Sequence, residues 1–302
     1  MSFQPQALYN LSGRVAVVTG GGTGIGLLIA QGLAASGAKV YITGRRLEVL
    51  QKVAEVWNLQ NPGGASIVPL QVDVTNKESI AQGKKFIEEK EGKIHILVNN
   101  AGQVGPRSPF LSDPAAPQLK DAETLGQSLF DNETFGQWGD LYAINTFSLF
   151  FVTTAFLGLL DKGSKDTPGY TSVVINVTSI SGLIKLSQDH ASVVQFAYNS
   201  AKAAASHLTR LLATEFALKK VDVRVNAIAP GVYASEMTHD FIKPEQVDKI
   251  GQGLQPVPAA RAGTGQEMAG TAVYLASLSG GYMNGQEIII DGGYTSVNPS
   301  TV

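Results

Sequence analysis

Tyr198 and Lys202 stand four residues apart in the run YNSAK, a spacing that puts both side chains on one face of a helix. A phenol is a poor proton donor at neutral pH, its ordinary pKa being about 10. An ammonium beside it stabilises the phenolate and brings that pKa down. The pair is therefore a candidate proton donor, of the kind a carbonyl oxygen requires when hydride arrives on its carbon. Taken alone, such a pair is also the ordinary appearance of a solvated helix face, so its meaning depends on what else the chain carries.

A second group of residues suits a hydride carrier. Thr19 to Gly26 read TGGGTGIG, where an apolar run of strand character gives way to a helical one. Gly20, Gly24 and Gly26 let backbone come close to a pyrophosphate, and the helix start at Thr23 and Ile25 offers free N–H groups and a partial positive charge. Glycines also make ordinary tight turns, so the context of strand, turn and helix carries more weight than the glycines do. At the end of the next strand, where an NAD site offers a carboxylate to the ribose 2′-hydroxyl, the sequence reads Thr43-Gly44-Arg45-Arg46. A guanidinium there pairs with a 2′-phosphate through charge-assisted hydrogen bonds. NADP(H) is favoured over NAD(H), with Arg45 ahead of Arg46; two solvent-facing arginines are the plainer alternative.

The elements that must position these residues follow from periodicity. Short β-branched runs alternate with longer amphipathic ones, the pattern of a parallel sheet covered by helices on both faces. The strand candidates are Arg14–Thr19, Lys39–Thr43, Ile67–Val72, Ile94–Val98, Ser172–Val177, Asp222–Ile228 and Glu287–Ile290. Ile25–Ser36, closed by Gly37, and the Ala- and Leu-rich Ala201–Leu218 read as helices. No repeat or composition break divides the 302 residues, so one domain over residues 1–302 is expected. Two stretches interrupt the series: 103–137, with four prolines, reads as a long loop with one short helix, and 186–195 as a shorter intrusion. Both leave the carboxyl edge of the sheet, where ligands bind in this architecture, and are the natural walls of a substrate pocket.

Composition excludes several other classes. The net charge of −2 gives no basic excess for nucleic acid or an anionic membrane. No uninterrupted apolar stretch approaches the ~20 residues of a membrane span, and the start of the chain lacks a signal-peptide layout, so the cytoplasm is the expected address. The absence of cysteine removes disulfides and thiolate chemistry, and the four histidines, His95, His190, His207 and His239, lack metal-ligand spacing, so no metal site is expected.

Together these residues resemble the short-chain dehydrogenase/reductase family, in its compact branch. The resemblance rests on TGGGTGIG, DVT at Asp73–Thr75, NNAG at Asn99–Gly102, Asn145, TSISG at Thr178–Gly182, YNSAK, PG at Pro230–Gly231 and DGG at Asp291–Gly293. It runs from about Leu11 to Gly293. It implies an α/β, Rossmann-type doubly wound parallel sheet of about seven strands in three layers. It also implies that Asp73 and Val74 contact adenine and that the backbone of Asn99, Ala101 and Gly102 lines the cofactor. Pro230, Gly231, Val232 and Ser235 would hold the nicotinamide end. In the family's scheme Ser179 polarises the substrate carbonyl, with Ser181 as the fallback, while Lys202 holds the nicotinamide ribose beside Tyr198. Asn145 links that lysine to solvent through a water. A homotetramer or homodimer is the family's common assembly, and 233–253 resembles a mobile substrate loop. Ser179 and Tyr198 lie nineteen residues apart, more than is common in the family. The extra length falls in 186–195, where a loop can bulge at little entropic cost.

The expected function is an NADPH-dependent reductase of a ketone, resembling 3-oxoacyl or polyketide-type ketoreductases of lipid or secondary metabolism. A secondary-alcohol dehydrogenase running in the other direction is the alternative within enzymes. A nonenzymatic NADP(H)-binding sensor is the alternative outside them, for which all four positions Asn145, Ser179, Tyr198 and Lys202 need not be filled as they are here.

Overall fold

The seven apolar runs become seven strands of one parallel sheet in the computed structural model, which describes residues 3–186, 195–233 and 257–301. They are β1 (Val15–Thr19), β2 (Lys39–Gly44), β3 (Ile67–Gln71), β4 (Ile96–Asn99), β5 (Ser172–Val177), β6 (Val223–Pro230) and β7 (Glu287–Ile290), in the order β3-β2-β1-β4-β5-β6-β7. The helices described are α1 (Pro5–Leu8), α2 (Gly24–Ala35), α3 (Leu47–Gln60), α4 (Lys77–Glu91), α5 (Ala122–Asn132), α6 (Phe135–Tyr142), α7 (Ser148–Asp166), α8 (Phe196–Leu218), α9 (Gly265–Ala276) and α10 (Tyr294–Val297).

Successive strand side chains point to opposite faces, and both faces are covered. From β1, Ala16 and Val18 pack with α2, α3 and α9, whereas Val15 and Val17 pack with α4, α7 and α8. A strand buried on both sides is mostly apolar, hence near-continuous runs rather than alternation, interrupted by hydrogen-bonded polar residues such as Asn176, Arg224 and Asn226. Winding reverses between β1 and β4, which opens a crevice above their carboxyl ends. This is the doubly wound, Rossmann-type arrangement, with helices on both faces of the sheet.

Most boundaries shift by a residue or two, as at β6, which runs Val223–Pro230 rather than Asp222–Ile228, and three departures from the sequence reading bear on the site. The β4 ladder begins at Ile96, because Ile94 N–H bonds Leu159 O of α7 instead. Helix α8 begins already at Phe196, so Tyr198 and Lys202 both lie in its first two turns. The 103–137 stretch is more helical than a prolyl loop suggests. Two 3₁₀ turns start at Pro109 and Pro117, where proline needs no N–H partner, and α5 follows, capped by the Asp121 carboxylate on Thr124 N–H at 2.8 Å. A capping box at Thr134 and Gln137 then opens α6.

Helix α6 continues into α7 through a π-helical turn at Ala143–Phe147. This unbroken run from Phe135 to Asp166 is long and apolar enough to cross a membrane by composition. Its apolar side chains are spent elsewhere: Val152, Phe156, Leu159 and Leu160 are buried against β4, β5 and β6. It is a core helix of the sheet.

Candidate active site

A cleft of about 470 Å³ lies above the reversal of the sheet. Gly20, Gly22, Thr23, Gly24 and Ile25 form one wall, Arg45, Arg46, Asp73 and Val74 close one end, and Ala101 and Gly102 lie along its length. Tyr198 and Lys202 stand with Val177 and Thr178 among its lining residues. The loop after β1, the end of β2 and the first turns of α8 are thus brought to one groove from positions far apart in sequence.

The glycine turn is dictated by space. Gly20 has φ +64°, and a Cβ there would come within 2.9 Å of Asn100 Nδ2 and 3.0 Å of Ala101 Cα. A Cβ on Gly26 would come within 2.3 Å of Gly20 O, so only glycine lets α2 start directly over the turn. No side chain caps α2 at Thr23. Its first N–H groups, which have no partner within the helix, are left to an outside acceptor. A narrow backbone cradle, a helix N-terminus and two arginines at the far end fit a phosphate-bearing dinucleotide.

At that far end the Asp73 carboxylate is held by Thr75, whose hydroxyl and N–H donate to Oδ1 at 2.7 and 2.9 Å. Partial burial works to raise its pKa, but these hydrogen bonds and the nearby Arg45 charge outweigh it and hold the carboxyl below its usual range. Gln71 donates to Arg45 O at 2.8 Å, fixing the turn that presents the guanidinium.

At the opposite end Lys202 is buried, with Nζ 5.8 Å from the Tyr198 ring centroid and donating to Val177 O at 3.0 Å. Burial pushes its pKa down to about 8. Asn145, buried in the π turn, accepts from Gln103 N–H at 2.9 Å and donates to Gln103 O at 2.9 Å. A Cβ on Gly102 would lie 3.0 Å from Asn145 Oδ1 and 3.8 Å from Lys202 Nζ, which shows how closely these groups converge. Ser179 is half-buried at the start of a 3₁₀ turn, its Oγ accepting Ser181 N–H at 3.1 Å, while Ser181 is buried.

Not every expected position is among the residues that line this cleft, and Asn99, expected there through its backbone, is one that is not. Asn99 turns its side chain away from the cleft, donating to Thr153 Oγ1 and Asn176 Oδ1 at 2.9 Å each in the core. As the last residue of β4 it follows the strand alternation, and Asn100 takes the cleft position. Asn100 Nδ2 donates to Thr19 O and Gly20 O, and Thr19 Oγ1 accepts the N–H of both Asn100 and Ala101. The doubled Asn of NNAG was the available signal, and the strand's true end decides which of the two lines the cleft. Pro230, Gly231 and Val232 are outside the cleft wall in the described residues. Gly231 is pressed against Asp291, and Val232 borders a second cavity with Tyr233 and Asp291. Ser235, His190 and most of 186–195 and 233–253 lie outside the described residues.

A parallel α/β sheet with a glycine cradle at its reversal and a Tyr–Lys pair beside it defines a nicotinamide-dinucleotide oxidoreductase. Residues 14–246 match the family model for short chain dehydrogenases, and the chain belongs to that family. It is 37% identical to the short-chain dehydrogenase/reductase VdtF of Byssochlamys spectabilis, over 98% of this chain and 97% of that one. It is 31% identical to the rhamnolipids biosynthesis 3-oxoacyl-[acyl-carrier-protein] reductase of Pseudomonas aeruginosa, over 95% of this chain and 98% of the other. The solved RhlG/NADP active-site complex of Pseudomonas aeruginosa superposes with a TM-score of 0.79 at 28% identity, covering 95% and 98% of the two chains. The chain is thus an oxidoreductase of CH–OH and C=O groups whose fold binds a nicotinamide cofactor.

Proposed function

We propose that this enzyme reduces a ketone with NADPH, acting from a single domain on a 3-oxoacyl or polyketide-type compound of lipid or secondary metabolism. The observation that carries the reading is one groove with Arg45 and Arg46 at one end and Tyr198 and Lys202 at the other. Glycines 20 and 24 with the start of α2 would hold the pyrophosphate, and Arg45 the 2′-phosphate. When bound, the nicotinamide supplies hydride to the carbonyl carbon.

The chain's own residues then deal with the oxygen. Ser179 Oγ already accepts a turn N–H, which leaves its hydroxyl proton to donate to the substrate oxygen and stabilise charge there. That favours Ser179 over the buried Ser181. Tyr198 donates its phenolic proton to the same oxygen as the alcohol forms. Lys202, charged at neutral pH, stabilises the phenolate left behind. Asn145 fixes the backbone of Gln103 beside that lysine. A 3-oxoacyl reductase among the relatives and an NADP complex among the solved structures support the substrate class and cofactor. A homodimer or homotetramer in the cytoplasm is part of the same reading. The oligomer is supported by family habit and by exposed Phe147 in the π turn and Phe150 and Phe151 on α7.

Fluorescence titration with NADPH and NADH tests the cofactor half. NADPH preference is expected in the wild type, and Arg45→Asp reverses it, with a loss of roughly 1.5–3 kcal/mol in NADPH binding for one charge-assisted contact. Equal affinity for the two cofactors would overturn the role given to Arg45 and favour NAD-linked alcohol oxidation instead.

A further inference from the structure

One buried carboxylate plays no part in the chemistry above. Glu287 opens β7, paired with Ala227 of β6, and its side chain is 7% exposed. Oε1 accepts from Thr178 Oγ1 at 2.7 Å and from Ser206 Oγ at 2.6 Å, and Oε2 faces Arg210 at 3.3 Å. Thr178 sits between two residues of the site: Val177, whose carbonyl accepts from Lys202 Nζ, and Ser179. Ser206 lies one helical turn beyond Lys202 on α8.

Each hydroxyl has a single proton and two acceptors in reach. Thr178 Oγ1 is 3.0 Å from Ile228 O as well, and Ser206 Oγ is 3.1 Å from Lys202 O. In both cases the carboxylate is nearer, and a charged acceptor makes the stronger bond. Glu287 therefore takes both protons on one oxygen, and these bonds with the Arg210 guanidinium offset the cost of burying its charge. The strand end that carries Ser179 and the helix that carries Tyr198 and Lys202 are separate elements. Glu287 ties them together behind the site, while the Lys202–Val177 bond ties them within it.

We propose that Glu287 is a positioning residue for proton transfer, holding Ser179 and the Tyr198–Lys202 pair at a fixed separation through Thr178 and Ser206. This rests on the ketone-reductase reading above. An uncharged strand-former would serve the β7 register equally well, so the carboxylate's distinct contribution is the bridge between β5 and α8.

The test compares the wild type with Glu287→Ala, Glu287→Gln, Ser206→Ala and Tyr198→Phe. The substrate is whichever ketone the wild type reduces fastest from a panel of 3-oxo esters, aryl ketones and bicyclic ketones with NADPH. The readouts are kcat across pH and NADPH affinity by fluorescence. Glu287→Ala is expected to lower kcat roughly tenfold to a hundredfold, as small misplacements of reacting groups do, with NADPH affinity unchanged and the kcat–pH profile displaced. Glu287→Gln, whose amide oxygen still accepts both hydroxyls, recovers most of kcat. Ser206→Ala displaces the profile in the same direction, and it decides the matter if Glu287→Ala does not fold. Wild-type kcat and profile in the alanine variants overturn the proposal. So does a loss of kcat matched by lost NADPH-binding protein with an undisplaced profile, the mark of a residue that only stabilises the fold. Tyr198→Phe separates the two levels. If it is inactive while Glu287→Ala is normal, only the positioning role fails. If it stays active, or the wild type is inert to the whole panel, the reductase reading fails and the positioning role with it.

Discussion

Lys202 holds its charge in surroundings that oppose it. Burial lowers its pKa from 10.5 to about 8, so the folded enzyme binds fewer protons than the unfolded chain between those values. Stability must then rise with pH across that window, by at most about 1.4 kcal/mol per pH unit. Below pH 8 the full cost of the buried ammonium is present. Urea unfolding of cofactor-free wild type and Lys202→Met at pH 8 and pH 10 checks the sign: the wild type gains relative to the variant as pH rises. A flat difference between the two would place the lysine in water. Tyr198→Phe removes only the hydroxyl proposed as the proton donor, and kcat is expected to fall by roughly 100-fold or more. NADPH affinity stays within about twofold of wild type in the same titration, because the ring and its packing remain.

Elements set the precision with which these side chains meet. The π turn at Ala143–Phe147 buries Ile144, Asn145 and Thr146 in succession. The three face different neighbours, Ile144 packing in the core, Asn145 against Gln103 and Thr146 against α8. Asn145 then reaches the backbone of Gln103, and Thr146 Oγ1 bonds Ala201 O beside Lys202 at 2.9 Å. The start of the intrusion after Ser179 is anchored as well: Asn199 holds Leu186 O, and the tail pairs Ser300 with Ile184. At the other wall the contact of α2 with the glycine turn has no slack. Gly26→Ala would drive a methyl to 2.3 Å from Gly20 O, costing roughly 1–3 kcal/mol of stability. A matching weakening of NADPH binding is expected, measured by thermal melts with and without cofactor. An unshifted melting temperature would mean that the helix can slide away from the turn.

Across the whole molecule, the two edges of the sheet do different work. The carboxyl edge carries the cleft, and the amino edge carries a buried polar cluster that holds the layers together. Arg224 donates to Thr171 O, Leu275 O, Gly280 O and Met283 O, closing the end of α9 and the turn after it. His95, fully buried at the foot of β4, accepts Val15 N–H on Nδ1 at 3.0 Å. Burial, aided by the Arg14 charge and opposed by Asp166, lowers its pKa from 6.5 to about 4. The unfolded chain therefore takes up a proton first as pH falls, and stability declines between about pH 6.5 and 4. Denaturant unfolding of wild type and His95→Asn across that range checks it: the wild type loses up to about 1.4 kcal/mol per pH unit relative to the variant. Parallel curves would assign acid sensitivity to other groups.

Much of this protein was legible in its sequence because its signals are local. Most strands carry a run of Val and Ile, and Tyr198–Lys202 and the glycine turn are contiguous segments whose spacing alone sets a shared face or a tight bend. What needed the tertiary structure is what depends on two elements meeting. The choice of Asn100 over Asn99 for the cleft follows from where β4 ends, and that end is set by pairing with β5 at Asn176. The helical content of 103–137 follows from side-chain caps at Asp121 and Thr134 that prolines nearby obscured. Glu287 lies 85 or more residues from every catalytic candidate in sequence. Only the β6–β7 register brings its carboxylate behind Ser179 and α8, since strand pairing joins positions that no local pattern can connect.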